Sequence, residues 1–263
     1  MSKIVLPPNK NGIREELEVS PETRIAFITG AGVSVGSGLP TYYGQTGSYT
    51  NLNESPEDII NFKNMRNAPH KIWDALTPLI KQGIKAEPCI AHKKIAEIQS
   101  LVNTSKVFTQ NVDPLHKKAG SKSITQIHGN GEKCYCNSCM IQGNKRLFDL
   151  VDVIETVEKG KTPICPDCGE RNVVPNIIAF HQNLEEEVLF QMYDFFTEKV
   201  DYIFVVGTQM SFPYIQMMLY DAEQRNEDIK IIDVNPDPNY INTFANVFNY
   251  TADDFFESLS IEK

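Results

Sequence analysis

Short, continuous runs of aliphatic and β-branched residues recur along the chain, at Arg24 to Thr29, Lys106 to Thr109, Val173 to Phe180, Tyr202 to Val206 and Lys230 to Val234. A strand buried on both faces reads this way, without the polar alternation of a half-exposed strand. Between the runs lie helical patterns, at His92 to Leu101, where Ile95, Ala96, Ile98 and Leu101 share a face, and at Glu186 to Phe196. Five such strands separated by helices predict an α/β fold built on a parallel sheet.

Two stretches break the alternation. Gln45 to Glu87 carries helical patterns at Glu57 to Met65 and Pro69 to Lys81, and Cys134 to Cys168 is bounded by cysteines. Both read as insertions. They predict a smaller helical and zinc-binding domain over 45–88 and 134–170, and a larger sheet domain over 1–44, 89–133 and 171–263. Asp253 to Ile261 reads as a short closing helix.

A chain of 263 residues with 41% hydrophobic composition supports one large core with a satellite. Prolines and charges in MSKIVLPPNKNGIREELEVS rule out a signal-peptide reading of the first residues, and no apolar run reaches membrane-spanning length. A cytoplasmic protein is expected. The net charge of −9, with dispersed lysines, argues against a sequence-independent grip on nucleic acid and is compatible with basic peptides.

Cys136 and Cys139 form one C-x-x-C pair, Cys165 and Cys168 another. Four thiolates so spaced predict a closed tetrahedral structural zinc site. Cys134 lies too close to Cys136 to complete a pair with the other set, and Cys89 reads as a small core residue.

The first strand opens into TGAGVSVGSGLP, with Gly30, Gly32, Gly36 and Gly38 in nine positions. Glycines let backbone approach a pyrophosphate closely. The dinucleotide fingerprint G-x-G-x-x-G needs a glycine where Val35 stands, so a dehydrogenase loop is a poor match. Instead, GAGVSVGSGLP resembles the GAGxSxxSGIP opening of the sirtuin family. TQNVDPLHKKAG at Thr109 to Gly120 resembles its TQNIDxLHxxAG, IHG at Ile127 to Gly129 its LHG, and GTQM at Gly207 to Met210 its GTSL. The four motifs fall in family order and span nearly the whole chain.

The resemblance implies a Rossmann-like parallel sheet with helices on both faces and a protein-lysine deacylase that consumes NAD and holds Zn2+. Its implied products are deacylated lysine, nicotinamide and O-acyl-ADP-ribose. His128 is implied as general base acting on a ribose hydroxyl, and Asn111 as its catalytic companion. The implied NAD contacts are Gly30, Ala31, Gly32, Ser34, Gly38, Pro40, Thr41, Tyr42, Tyr43, Gln110, Asn111, Asp113, His128, Gly207, Thr208, Gln209 and Asn235. Of the other histidines, His116 is expected to support the NVDPLH loop, while His70, His92 and His181 read as structural.

The family's VxFGExLP segment pairs with the acyl-lysine peptide as an added strand. Here it reads IAFHQNLE, with His181 and Gln182 in place of Gly and Glu. PTYYG at Pro40 to Gly44 stands where most members have PDFRG. Thr41 is similar to class III sirtuins, and Tyr43 replaces an arginine. Near Trp73, Leu76 and Leu79 suggest an apolar acyl group. These departures motivate ADP-ribosyl transfer to protein, or NAD hydrolysis, as an alternative activity, with a non-catalytic NAD-sensing or protein-binding module as a further one.

Overall fold

The structure, a computed structural model, describes residues 1–41, 55–237, 242 and 245–263. Its strands are β1 (Ser2–Val5), β2 (Glu16–Val19), β3 (Arg24–Thr29), β4 (Thr104–Thr109), β5 (Ile124–Gln126), β6 (Gly129–Cys136), β7 (Phe148–Asp149), β8 (Val173–Ile177), β9 (Tyr202–Val206), β10 (Lys230–Val234), β11 (Asn246–Phe248) and β12 (Ser260–Glu262). Its helices are α1 (Pro56–Ile59), α2 (Phe62–Asn67), α3 (Pro69–Lys85), α4 (Ile90–Gln99), α5 (Leu115–Lys118), α6 (Asn137–Ile141), α7 (Ile154–Glu158), α8 (Glu186–Thr197), α9 (Pro213–Arg225) and α10 (Ala252–Ser258).

Six strands form one parallel sheet in the order β11-β10-β9-β3-β4-β5. Counted within that sheet, this is the doubly wound order of dinucleotide-binding folds, which reverses between its first and fourth strands, here β3 and β9. The apolar runs make physical sense in this setting. Along β3, Ile25 and Phe27 enter a core shared with α4 and α10, while Ala26 and Ile28 enter a second core shared with α8 and α9. Both faces are covered, so every inward position must be apolar; burial of each large side chain stabilises by roughly 1.5–3 kcal/mol. Phe27 stacks on Phe204 of β9 with ring centroids 5.2 Å apart, tying the two strands that flank the reversal.

The third predicted strand requires correction. Val173–Ile177 is not in the parallel sheet; it pairs antiparallel with β6 in a three-stranded sheet ordered β7-β6-β8. A continuous apolar run reports burial on two faces, not the identity of its neighbours. Here the second cover is α3, whose Trp73 indole donates to the Val173 carbonyl at 2.8 Å. Around this sheet a third core gathers Trp73, Leu76, Phe148, Val173 and Ile177. Leu76 is thus a core residue, and Leu79 packs beside it.

Further differences are local. The helix predicted over Glu57 to Met65 is two helices, because Asn61 adopts extended backbone and its side chain accepts the Asn64 N–H at 2.9 Å, capping α2. The closing helix stops at Ser258, and the residues after it form β12, which pairs with β1. With β2 this makes a small antiparallel sheet joining the two ends of the chain.

Candidate functional site: the crevice at the strand reversal

The carboxyl ends of β3, β4 and β9 converge where the strand order reverses, the place at which open α/β sheets bind ligands. After β3, Ala31–Ser37 forms a 3-10 helix. Its start is pressed against the turn after β9: the Gly32 N–H donates to the Gly207 carbonyl at 2.9 Å, and Gly30 N–H to Val206 at 3.0 Å. A Cβ on Gly32 would lie 2.6 Å from the Gly207 Cα, inside any real contact distance, and Gly207 itself has φ +62. Glycine is therefore required on both sides of this approach.

A polar cluster fills the crevice behind the glycine turn. The Ser34 hydroxyl donates to Asp113 Oδ2 at 3.0 Å and accepts from Asn111 Nδ2 at 3.1 Å. Asn111 Nδ2 also reaches the Gly30 carbonyl at 3.1 Å. Behind Ser34, His92 Nε2 lies at 3.5 Å and Cys89 Sγ lies 3.0 Å from His92 Nδ1. A consistent assignment runs Cys89 S–H to Nδ1, Nε2–H to Ser34, and Ser34 O–H to the Asp113 carboxylate. Burial raises the Asp113 carboxyl from its ordinary range, opposed by donation from the Leu115 N–H and Ser34. His116, on α5, holds Thr29 Oγ1 at 3.0 Å and meets the His92 ring edge-on at 4.8 Å. Burial keeps both rings neutral, and His92 lowers His116 further.

On the β9 side, Gln110 Nε2 donates to Thr208 Oγ1 at 2.9 Å, linking the ends of β4 and β9. Gln209 is exposed beside it, and Asn235 is buried at the end of β10, its Oδ1 accepting the Asp237 N–H at 3.0 Å. Gly38 ends the 3-10 helix in left-handed conformation; Pro40 and Thr41 follow it half-buried. Tyr42 and Tyr43 lie outside the described residues.

His128 stands between β5 and β6. It is fixed from below because Gly129, at φ +91, lets the chain pass close to β8; a Cβ there would meet the Asn176 carbonyl at 2.3 Å. His128 Nδ1 lies 3.0 Å from the Gln110 carbonyl, an acceptor only, so Nδ1 carries the proton and Nε2 presents a lone pair. That lone pair faces the Tyr214 hydroxyl, and the ring meets Phe212 edge-on at 5.1 Å. Burial lowers His128 to about 4, opposed by the Gln110 contact; burial also raises the Tyr214 phenol. Tyr214 was invisible in sequence, since no spacing relates α9 to the residue after β5.

The set of two amides, hydroxyls, one carboxylate and a neutral imidazole suits the carboxamide and ribose hydroxyls of NAD, which are neutral donors and acceptors. At the far end of β6, the sulfurs of Cys136, Cys139, Cys165 and Cys168 all lie within 4.8 Å of one another, with Cys136–Cys168 and Cys139–Cys165 at 3.7 Å. Tetrahedral zinc with Zn–S bonds of about 2.3 Å places sulfurs roughly 3.8 Å apart, so the donor set fits that ion. Cys134 turns away toward the Phe148 carbonyl at 3.5 Å, and burial raises its thiol to about 12.

Comparison with known proteins agrees with this geometry. The NAD-dependent protein deacylase of Thermococcus kodakarensis is 34% identical over 224 residues, covering 85% of this chain and 84% of the relative. NAD-dependent protein deacylase 2 of Archaeoglobus fulgidus is 29% identical over 225 residues, 85% of each. Among solved structures, a Sir2 homologue–NAD complex superposes with TM-score 0.75 at 27% identity, covering 89% of this chain and 86% of that one. Sir2Tm bound to a propionylated peptide gives TM-score 0.73 at 25% identity, covering 89% and 90%. The Sir2 family model matches residues 30–212, from the glycine turn to the aromatic residue that flanks His128, and the chain belongs to the Sir2 family.

Proposed function

We propose that this chain is an NAD-dependent protein-lysine deacylase that releases nicotinamide and O-acyl-ADP-ribose. The observation that carries the reading is His128, whose Nδ1 is held by the carbonyl of Gln110 so that Nε2 keeps its lone pair; Gln110 is next along the chain to Asn111, which is itself tied to Ser34 and through it to Asp113. NAD, when bound, supplies an electrophilic ribose carbon and a departing nicotinamide. Asn111 and Asp113, tied through Ser34, would orient carboxamide and ribose; Gln110, Thr208 and Asn235 would face the ribose units, and Gly30, Ala31, Gly32, Gly38, Pro40, Thr41, Gly207 and Gln209 would line the dinucleotide. His128 Nε2 takes the proton from a ribose hydroxyl, and the Gln110 carbonyl holds the ring in the tautomer that allows it.

The four cysteines, Cys136, Cys139, Cys165 and Cys168, would hold a structural zinc with no open coordination position. The smaller unit is read as 45–88 and 134–170, of which 45–54 lie outside the described residues, and the pairing of β8 with β6 supports extending it through residue 177. Among the described residues no helix is long and apolar enough to cross a membrane.

Mass spectrometry of acyl-lysine peptides incubated with protein and NAD tests the reading. NAD-dependent loss of the acyl group that vanishes in His128→Ala is the expected result. NAD consumed without deacylation, or ADP-ribose on protein, would replace it with hydrolysis or transfer.

A further inference from the structure

Beside the segment Ile178 to Leu184 opens a cleft of about 680 Å³, lined by Asn61, Phe62, Lys63, Arg66, Asn67 and His181. It is built on the turn between α1 and α2, which is stitched to that segment by backbone: Phe180 N–H donates to Ile60 and Phe62 N–H to Phe180, both at 2.9 Å. The Phe180 groups are therefore consumed. By contrast, His181 is the third residue of a turn that the Gln182 N–H closes onto the Ala179 carbonyl at 3.1 Å, and its own N–H and carbonyl have no partner among the described residues, so polar groups of a ligand can reach them.

The chemistry of the cleft runs against that of the whole chain. The net charge is −9, yet the lining has two cations, an imidazole, two amides and an aromatic ring, with no carboxylate. Neither Lys63 nor Arg66 forms an ion pair among the described residues; the Arg66 guanidinium rests 5.7 Å from the Phe62 ring centroid. His181 sits at φ +64, one of two described non-glycine residues in left-handed backbone. That conformation costs on the order of 1 kcal/mol for a side-chain-bearing residue; the turn closed between Ala179 and Gln182 calls for it, and it leaves the imidazole lining the cleft.

We infer that this cleft is a specificity site for an acidic side chain flanking the acyl-lysine: a substrate peptide running past the Ile178–Leu184 segment would place an aspartate or glutamate between Lys63, Arg66 and the imidazole. The inference rests on the deacylase reading for the identity of the peptide, but the cleft can be tested apart from turnover. Fluorescein-labelled acyl-lysine peptides with Glu or Gln at each flanking position are titrated against the wild type, Lys63→Ala/Arg66→Ala and Arg66→Glu. Lys63 and Arg66 are exposed, so all three proteins are expected to melt alike.

At one flanking position the Glu peptide is expected to bind about three- to tenfold more tightly than the Gln peptide, the gain of one or two partly exposed charge pairs. The advantage disappears in the double variant, inverts in Arg66→Glu and shrinks with added salt. Equal binding of the Glu and Gln peptides, or an advantage that survives in the double variant, overturns the assignment. So does a loss of NAD affinity in the double variant, which would give the cleft to the dinucleotide. Deacylation of the same peptides separates the two ideas: acidic preference in binding without turnover keeps the cleft and removes the deacylase, while turnover indifferent to the flanking charge does the reverse.

Discussion

The phenol of Tyr214 occupies the same Nε2 lone pair of His128 that the proposed base must offer to a ribose hydroxyl. Two donors cannot share that lone pair, so the phenol has to give way when the site fills. Tyr214→Phe keeps the ring that stacks on Phe212 at 5.4 Å but removes the competing proton. Loss of one neutral hydrogen bond is worth about 1 kcal/mol, and the KM for NAD is expected to fall about fivefold with kcat little changed. A fall in kcat instead would make the phenol a participant in proton transfer, and steady-state kinetics with NAD as varied substrate distinguishes the two.

Acid should weaken the fold through its buried histidines. Burial lowers His92 and His128 from 6.5 to about 4 and holds His116 low as well. Above pH 6.5 both folded and unfolded chains keep these rings neutral, and stability is fully present. Between pH 6.5 and about 4 the unfolded chain binds the extra protons, so stability falls as pH falls, by on the order of 3 kcal/mol each for His92 and His128, and His116 shifts in the same direction. Urea unfolding at neutral pH and at pH 5 measures the loss, and His92→Gln should make it shallower.

The approach of the two glycine turns leaves no room for a methyl group. Gly32→Ala would drive a Cβ to 2.6 Å from the Gly207 Cα, backbone against backbone, so one turn must move. NAD affinity is expected to drop by tenfold or more, equivalent to about 1.4 kcal/mol, while the zinc content stays unchanged. Calorimetric titration with NAD and metal analysis of the same sample check both halves.

Zinc removal should act on folding. Cys165→Ser deletes one of four clustered ligands, and chelation deletes the ion. Either is expected to lower the melting temperature and to expose the core around Trp73, to which Cys136, Cys139 and Cys165 themselves belong. Fluorescence of Trp73, the single tryptophan, reports it directly. An unchanged melt with metal-free protein would remove zinc from the fold.

Much of this architecture was legible because burial on two faces leaves a plain mark: β3, β9 and β10 match their apolar runs from end to end. β5 and β11 were not, since three residues are too few to show any period. The run over β8 reads as a strand but does not name its sheet, because its second cover is α3 and no residue within the run encodes that. At the site, motif order brought forward His128, Asn111 and the glycine turn. The Tyr214 contact and the cationic cleft at His181 arise from juxtapositions across 86 and more than 100 positions, which only the folded chain reveals.

The helix α3 touches both halves of this arrangement. Near its start Trp73 is bonded to the strand beside the cysteine cluster; near its end Gln82 Nε2 donates to the Gly38 carbonyl at 2.7 Å and Gly83 packs on Asp113. Its 17 residues span about 25 Å, and between those anchors the backbone ladder is interrupted once, at Pro78, which has no N–H to give the Asp74 carbonyl. A tilt of the cysteine-bearing unit would thus reach the Gly38 turn through this helix, with Pro78 the point at which it would bend first. Peptide and nucleotide would then report on each other's presence along this helix as well as at the atoms where acyl transfer joins them.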